Sequence, residues 1–131
     1  MIDVERLLAA MITWDGVPFA HQGRSRAGVD CLGVLLAALE EQGVIIDAPA
    51  NYHWSSAGEI LLAGIRASPL VERADPPVVR GDVLVFRVRR KPQHMAVALG
   101  EDRMFHVARQ ACCVTFSPLW QERLEFQFRW V

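Results

Sequence analysis

The hydrophobic period of this chain changes once, and the change limits the folds open to it. Up to about residue 70, apolar residues recur every three or four positions, the period of a helix with one buried face. Beyond Gly81 and Asp82, β-branched and aromatic residues form short runs and alternating patterns, which are typical of strands. Helices followed by neighbouring strands predict an α+β domain with helices packed on an antiparallel sheet. We expect one domain over residues 1–131, because no repeat or linker divides the chain.

Three helices are predicted in the first half. The first begins near Val4, and the turn at residues 16–18 ends it. The second covers residues 31–42 and stops at Gly43, whose type is common after helix C-termini. The third ends near residues 68–69. Each follows a side chain suited to N-capping: Asp3, Asp30, and Ser56 with Glu59 as its capping-box partner.

Five strands are predicted in the second half. Four of them are Val83–Val88, His94–Leu99, Arg103–Val107 and Ala111–Phe116. The fifth is the tail, where polar residues alternate with Leu124, Phe126, Phe128 and Trp130. The alternation predicts a half-buried strand with all four apolar side chains on one face.

The charge balance excludes several function classes. The chain has 14 basic and 15 acidic side chains, a net charge of −1, and 52% apolar residues. Binders of nucleic acid or anionic membranes need a basic face, and the basic cluster within residues 87–91 is explained as a charged hairpin tip.

The longest uncharged apolar stretch, residues 31–39, is too short to span a bilayer, which takes about 20 residues. Residues 1–6 lack the regions of a secretory signal, so we expect synthesis in the cytoplasm.

The three cysteines do not indicate a disulfide framework. Their number is odd, and the adjacent Cys112 and Cys113 point to opposite faces of a strand, so at least one thiol is free. No pair has the CxxC spacing of zinc ligands, which argues against a zinc site formed by these two cysteines and His106.

Cys31 is the candidate nucleophile. It follows the predicted cap Asp30 and lies in the first turn of the second helix. Unpaired N–H groups and the helix dipole favour a negative charge there, so we expect a thiol that ionises easily. The alternative is a small buried apolar residue, because free cysteine is among the most buried residue types.

His94 and His106 are the candidate partners of this thiol. If residues 100–102 form a three-residue loop, Leu99 lies opposite Arg103 and the two imidazoles share one sheet face. A loop of two or four residues would separate them. On one face, one imidazole can accept the thiol proton while the other orients it. The alternative is two unrelated histidines.

The order of these motifs resembles the NlpC/P60-type cysteine peptidases of bacterial cell-wall metabolism. The resemblance covers about residues 4–108 and is carried by five segments: residues 16–19, 28–33, 81–86, 94–100 and 104–106. Within that family the chain is most similar to short forms found in phage tails, prophages and gene-transfer particles. The similarity to those forms rests on GVPFAHQG at 16–23, NYHW at 51–54, and Trp120 before the alternating tail.

The resemblance implies a fold, a reaction and a site. The fold is a papain-like domain whose nucleophile begins a helix packed on the sheet. The substrate is a peptidoglycan stem peptide, cleaved between γ-linked D-glutamate and diaminopimelate. Cys31 would be the nucleophile, His94 the base and later acid, and His106 the orienting residue, with no metal or organic cofactor. Phage tail proteins are implied partners, and a particle would carry the enzyme to the periplasm or cell wall.

One position departs from the family pattern. Many members have a tyrosine twelve residues before the nucleophile, with its hydroxyl facing the reaction centre, and this chain has Phe19. Losing one oxyanion donor costs roughly a hundredfold in rate. His21 is a candidate replacement donor, with an ordinary loop histidine as the alternative. Asp30 is a further candidate for contact with substrate, although a helix cap explains it better.

The remaining polar and aromatic candidates have structural alternatives. Arg24 and Arg26 could contact substrate carboxylates or form a solvated loop, and His53 could line a groove or pack within an aromatic cluster. Two other functions also remain open. The domain could be a structural part of a tail with weakened activity, or an acyltransferase in which an amine, rather than water, resolves the acyl-enzyme.

Overall fold

The computed structural model describes residues 1–46, 57–88 and 90–131. Its helices are α1 (Val4–Ile12), α2 (Cys31–Glu40), α3 (Ala57–Ala67) and a 3-10 helix (Ser117–Arg123). The Asp3 carboxylate accepts from the Arg6 N–H at 3.1 Å, and Asp30 caps α2 in the same way, so both predicted caps are confirmed. The capping role predicted for Ser56 lies outside the described residues. No helix in the described ranges is both long and apolar enough to cross a bilayer.

Within the described residues, eight strands form two antiparallel sheets. A small sheet pairs β1 (Arg24–Ser25) with β2 (Gly28–Val29). The main sheet has the order β3-β8-β4-β5-β6-β7, and its strands are β3 (Val71–Arg73), β4 (Val83–Val88), β5 (Lys91–Ala98), β6 (Arg103–Val107), β7 (Cys112–Phe116) and β8 (Leu124–Trp130). The α+β class is confirmed. β5 begins three residues earlier than expected and directly continues the hairpin from β4, whose turn contains Arg90.

Helices α1 and α2 cover one face of the main sheet. The helix-side core contains Leu7, Leu8 and Met11 of α1, Val34, Leu35 and Leu39 of α2, and the sheet residues Val83, Val85, Val97, Phe105 and Phe128. A Gln42 side-chain amide bonds both backbone groups of Asp3 at 2.8 and 2.9 Å, which fixes the end of α2 against the start of α1. Leu7, Leu8 and Met11, which follow the helical period of α1, are thus buried, whereas Ile12 of the same pattern is 43% exposed.

A second cluster lies on the opposite face of the sheet. It contains Leu84, Phe86, Ala96, Ala98 and Met104, with Val78, Trp120 and Leu124 packed against it. The expectation that Leu124 shares a face with Phe126 and Phe128 is wrong. The pairing of β4 with β8 shifts between Val85 and Phe86, and such an irregularity breaks the alternation of a strand.

The polar face of β8 is also more buried than its sequence pattern indicates. Gln127 is 4% exposed and donates to the Asp82 carboxylate at 2.8 Å, and Arg129 donates to the same carboxylate at 2.8 and 2.9 Å. These bonds, together with one from the Val79 N–H, hold the pKa of Asp82 below its usual value even though burial alone would raise it. The predicted turn at Gly81 and Asp82 thus also anchors the C-terminal strand.

Three glycines hold the loop before α2 close to the helix. A Cβ on Gly33 would lie 2.6 Å from the carbonyl oxygen of Gly23, and a Cβ on Gly23 would collide with the Gly28 carbonyl. A Cβ on Gly28 would lie 2.5 Å from that of Ala20. Only glycine permits these approaches, so this spacing fixes the position at which Cys31 begins α2.

Candidate active site

The hairpin between β5 and β6 places the two candidate histidines on one face. Ala96 pairs with His106 and Ala98 with Met104, and the Leu99 N–H donates to the Arg103 carbonyl at 2.8 Å. Residues 100–102 therefore form the three-residue loop on which the predicted pairing depended. His94 and His106 lie diagonally across the two strands, and their ring centroids are 4.9 Å apart.

One hydrogen bond joins the imidazoles, and aromatic rings surround it. His94 Nε2 lies 2.7 Å from His106 Nδ1. The Trp120 ring stacks on His94 with centroids 5.0 Å apart and planes inclined by 25°, and it meets the edge of His106 at 5.6 Å. Phe86, which pairs with His94 across β4 and β5, borders the same site. The indole thus limits the access of water to the histidine pair.

The contact of Trp120 with the site was not predicted from the residues. The four tryptophans are scattered along the chain, and the 3-10 helix that carries Trp120 gives no periodic signal. Only the packing of that helix on the second face of the sheet brings the indole to His94.

Two residues of β7 contact the outer nitrogen of His106. His106 Nε2 lies 2.8 Å from Thr115 Oγ1 and 3.6 Å from Cys113 Sγ. Cys113 is the direct cross-strand partner of His106, and Thr115 lies two residues further along the same strand face. Neither contact was predicted from the sequence. The shared parity of 113 and 115 is a signal for them, but it has meaning only once the register of β6 with β7 is known.

Cys31 lies at the first position of α2, as predicted. The Asp30 carboxylate accepts from the Gly33 N–H at 2.8 Å and from the Arg24 guanidinium at 2.8 Å. The partly buried thiol packs at the edge of the helix-side core, and the Met95 N–H, next in the chain to His94, lies against its sulfur. Asp30 is thus a cap and an ion-pair partner in the described structure.

The expectation that the Cys31 thiol ionises easily is wrong for this structure. Burial, followed by the nearby Asp30 carboxylate, raises the pKa of the thiol to about 12. Backbone N–H groups of Leu32, Met95 and Cys31 itself lower the pKa by less than burial raises it. The helix N-terminus favours the thiolate, but removing the sulfur from water opposes it more strongly.

The imidazoles are also neutral near physiological pH. Burial, and then the proximity of His106, lowers the pKa of His94 to about 4. Burial likewise lowers the pKa of His106, which is 4% exposed. In the described part of the chain, no hydrogen bond links the Cys31 sulfur to either ring. The Cys31 thiol and both imidazoles are therefore neutral near physiological pH, and a hydrogen bond joins the two imidazoles.

Three other candidate residues, Phe19, His21 and Arg26, lie in the segment between α1 and α2. Phe19 forms a bridge with Val29, two residues before Cys31, and its side chain is 46% exposed. His21 is exposed in a turn and has bonding partners of its own. Arg26 stacks on Trp14 at 3.9 Å and donates to Thr13, so it serves the fold rather than a ligand. His53 lies outside the described residues.

Cys112 and Cys113 point in opposite directions, as predicted. Cys112 is 1% exposed within the helix-side core, while Cys113 lies beside His106 on the other face. Across the described residues, no group of three or more His, Cys, Asp or Glu side chains is arranged to hold a metal ion.

Known proteins share this fold. The chain is 22% identical to the murein DD-endopeptidase MepS/murein LD-carboxypeptidase of Escherichia coli K12 over 126 residues, which are 93% of this chain and 61% of that protein. The chain thus spans about three fifths of the length of that relative. The NlpC/p60 domain of the peptidoglycan hydrolase SagA superposes with a TM-score of 0.69 at 17% identity, covering 98% of this chain and 99% of that one.

A similar structure is described as non-catalytic. RipD of Mycobacterium tuberculosis, a non-catalytic NlpC/p60 domain protein adapted to peptidoglycan binding, superposes with a TM-score of 0.66 at 16% identity over 98% of both chains. At this level of identity these likenesses show the fold alone. The NlpC/P60 family model matches residues 16–128, which include Cys31, His94 and His106. By this match over most of its length, the chain belongs to the NlpC/P60 family.

Proposed function

We propose that this domain is a cysteine endopeptidase that hydrolyses an amide bond in the peptide stem of peptidoglycan. The observation that carries the proposal is the hydrogen bond of 2.7 Å between His94 and His106, beside a helix that begins with Cys31. Two family relatives are named for this chemistry, a murein endopeptidase and a peptidoglycan hydrolase. A thiol, a base and a group that orients the base are the parts that nucleophilic catalysis by cysteine requires.

The proposed reaction starts from neutral groups. Since His94 Nε2 is engaged by His106, its Nδ1 is the nitrogen left to accept the Cys31 proton. With a thiol pKa of about 12, proton transfer accompanies the attack of sulfur on the carbonyl carbon instead of preceding it. The Cys31 N–H stabilises the tetrahedral oxyanion. His94 then protonates the leaving amine, and water activated by the same imidazole hydrolyses the acyl-enzyme.

The proposed cleavage site and biological setting are more specific than membership of the family. We assign the bond between γ-linked D-glutamate and diaminopimelate, and delivery to the cell wall by a phage tail or phage-like particle. The resemblance to the family supports the bond, and the resemblance of residues 16–23, residues 51–54 and the tail after Trp120 to short particle-borne forms supports the setting. Detection of the chain in purified particles by mass spectrometry would support this setting, and its absence from them would contradict it.

Peptidoglycan binding without hydrolysis is the second candidate function. Phe19 has no hydroxyl to offer an oxyanion, and the Cys31 thiol is held neutral by burial. RipD provides a precedent for a non-catalytic NlpC/p60 domain adapted to peptidoglycan binding. In such a protein the histidine pair would be a structural remnant of the fold.

Digestion of purified muropeptides separates the two functions. The wild-type chain and the Cys31→Ala variant are incubated with muropeptides of known stem composition, and products are identified by mass spectrometry. Cys112→Ala is the matched control, since it removes a thiol that is buried away from the histidines. Cleavage by wild type and by Cys112→Ala, but not by Cys31→Ala, supports the peptidase.

Two other results contradict the peptidase proposal. Cleavage that survives in Cys31→Ala overturns the nucleophile assignment. Binding of intact sacculi without release of fragments by the wild-type chain favours the binding function. Circular dichroism of each variant confirms that a loss of cleavage is not a loss of folding.

A further inference from the structure

The hydrogen bonds of the candidate site continue past the second histidine. His94 Nε2 meets His106 Nδ1 at 2.7 Å, and His106 Nε2 meets Thr115 Oγ1 at 2.8 Å. We propose that Thr115 is a positioning residue that fixes the tautomer of His106 and, through it, that of His94. This proposal rests on the proposed peptidase function and adds a fourth member, beyond the thiol and the two imidazoles, to the site.

The positions of the protons along these hydrogen bonds decide which nitrogen of His94 can accept a proton. A neutral imidazole carries one proton, so one ring nitrogen donates and the other accepts. For His94 Nδ1 to accept the thiol proton, Nε2 must carry the proton and donate to His106 Nδ1. His106 must then carry its own proton on Nε2 and donate it to an acceptor. Thr115 Oγ1, at 2.8 Å, is in position to be that acceptor.

The opposite direction of the same bonds would disable His94 as a base. If the Thr115 hydroxyl donated to His106 Nε2, then His106 Nδ1 would donate to His94 Nε2. His94 would carry its proton on Nδ1, the nitrogen that must accept the thiol proton. The direction of the Thr115 bond therefore selects between a competent and an incompetent histidine pair.

Cys113 provides a place for the hydroxyl proton in the competent arrangement. Its sulfur lies 3.6 Å from Thr115 Oγ1, within range of an O–H···S bond. When Thr115 donates to this sulfur, both lone pairs of its oxygen are open to the His106 N–H. Sulfur is a weak acceptor, but a hydroxyl that donates to it cannot also donate to His106. His106 Nε2 is then the donor in its bond with Thr115.

The strand register makes the arrangement rigid. Thr115 pairs with Met104 and Cys113 with His106 in an unbroken β6–β7 ladder, so the backbone fixes which side chains face the imidazole. Thr115 is also β-branched, which restricts its χ1 angle within a strand. A rigid acceptor positions an imidazole better than a mobile water molecule does.

Nitrogen NMR of the histidine rings tests the proposal without reference to activity. The probe is the full chain labelled with 15N at histidine, near neutral pH, with ring signals assigned from His94→Gln and His106→Gln variants. A protonated ring nitrogen is separated clearly from an unprotonated one by its shift. Wild type is expected to carry the protons of both His94 and His106 on Nε2.

Substitutions at Thr115 provide the second readout. Thr115→Val removes the hydroxyl at nearly constant volume and is expected to change the His106 signals toward a tautomer mixture. It should also lower kcat by roughly tenfold to a hundredfold at an unchanged KM, the range seen when groups that orient a histidine are lost. Thr115→Ser keeps the hydroxyl and should restore both properties. Thr13→Val is the matched control, since its hydroxyl bonds the Ala10 carbonyl away from the histidines.

The outcomes are distinguishable from failure of the proposed function. Wild-type spectra with the His106 proton on Nδ1 overturn the proposal, as do Thr115→Val spectra identical to wild type. If Thr115→Val does not fold, Thr115→Ala and Thr115→Ser provide the same comparison. If the chain cleaves no muropeptide but the tautomers respond to Thr115 as expected, the positioning role stands while the peptidase proposal fails.

Discussion

His94 and His106 share a hydrogen bond of 2.7 Å although they lie twelve residues apart on different strands. The bond can form because a three-residue loop between the strands places both side chains on the same face of the sheet. The indole of Trp120 lies against both rings. Burial lowers the pKa of both histidines, so their imidazoles are neutral and can accept a proton.

The Cys31 thiol is expected to react slowly with iodoacetamide at neutral pH. Only the thiolate reacts, and burial raises the pKa of this thiol to about 12, so the rate should increase steadily between pH 7 and pH 9 with no plateau. Peptide mass spectrometry measures the alkylation rate at Cys31 against a cysteine in a denatured sample of the same chain. Rapid alkylation well below pH 8 would show an ionised thiol and contradict this prediction.

Phe19→Tyr is expected to increase the rate of muropeptide cleavage. The bridge between Phe19 and Val29 puts this ring in the segment that leads to Cys31, and a hydroxyl would add a donor for the oxyanion. One such donor changes kcat by up to roughly a hundredfold. Steady-state kinetics compare the variant with wild type, and Phe19→Leu controls for changes in packing. An unchanged kcat in Phe19→Tyr would mean that the ring does not face the reaction centre.

Trp120→Ala is expected to lower both stability and catalytic rate. The indole packs on Phe86 and stacks on His94, so its removal exposes the hydrogen bond of the histidine pair to water. Loss of this half-buried ring should reduce the free energy of unfolding by about 2 kcal/mol. Urea unfolding measures the stability of each variant, and Trp120→Phe should retain most of the wild-type stability. Equal stability of Trp120→Ala and wild type would refute the packing role.

The stability of the fold is expected to decrease between pH 6.5 and pH 4. His94 has a folded-state pKa of about 4 against an ordinary value of 6.5, so the unfolded chain binds a proton in this window that the native chain does not. Protonation therefore favours unfolding as the pH falls through the window. His94→Gln removes this contribution and should flatten the curve of unfolding free energy against pH. A curve of unchanged slope in the variant would contradict a buried neutral His94.

Asp82→Asn is expected to destabilise the protein at neutral pH and to weaken its acid sensitivity at lower pH. Hydrogen bonds from Arg129 and Gln127 outweigh burial and hold the pKa of Asp82 below its usual value. The ion pair therefore stabilises the fold above the unfolded pKa of about 3.9, and the stabilisation is lost as the pH falls through the folded value. Because Arg129 is partly exposed and its bonds to a charged acceptor are worth about 2 kcal/mol, we expect a loss of that size at pH 7, measured by urea unfolding. An unchanged stability at pH 7 would show that Asp82 does not anchor β8.

Local chemistry explains why much of the fold was predictable. Helix caps act over three residues, so Asp3 and Asp30 identified the starts of α1 and α2 directly. Strand alternation likewise acts locally and predicted the β5–β6 hairpin, whereas the shared face of its histidines was predicted only for a three-residue loop, which the structure shows. The alternation misled at Leu124, where an irregularity in the pairing with β4 changes the face, and at Gln127, whose polar side chain is buried.

The sequence by itself determined the α+β class and the N-terminal position of Cys31 in its helix, but it left the shared face of His94 and His106 dependent on the length of one loop, which the structure decided. Only the tertiary structure decided that Trp120 and Thr115 contact those histidines, because strand order and register arise from long-range packing. It also decided the state of the Cys31 thiol. A helix N-terminus is a local feature and favours the thiolate, but the loss of water around the sulfur depends on every element packed near it, and this loss dominates the pKa.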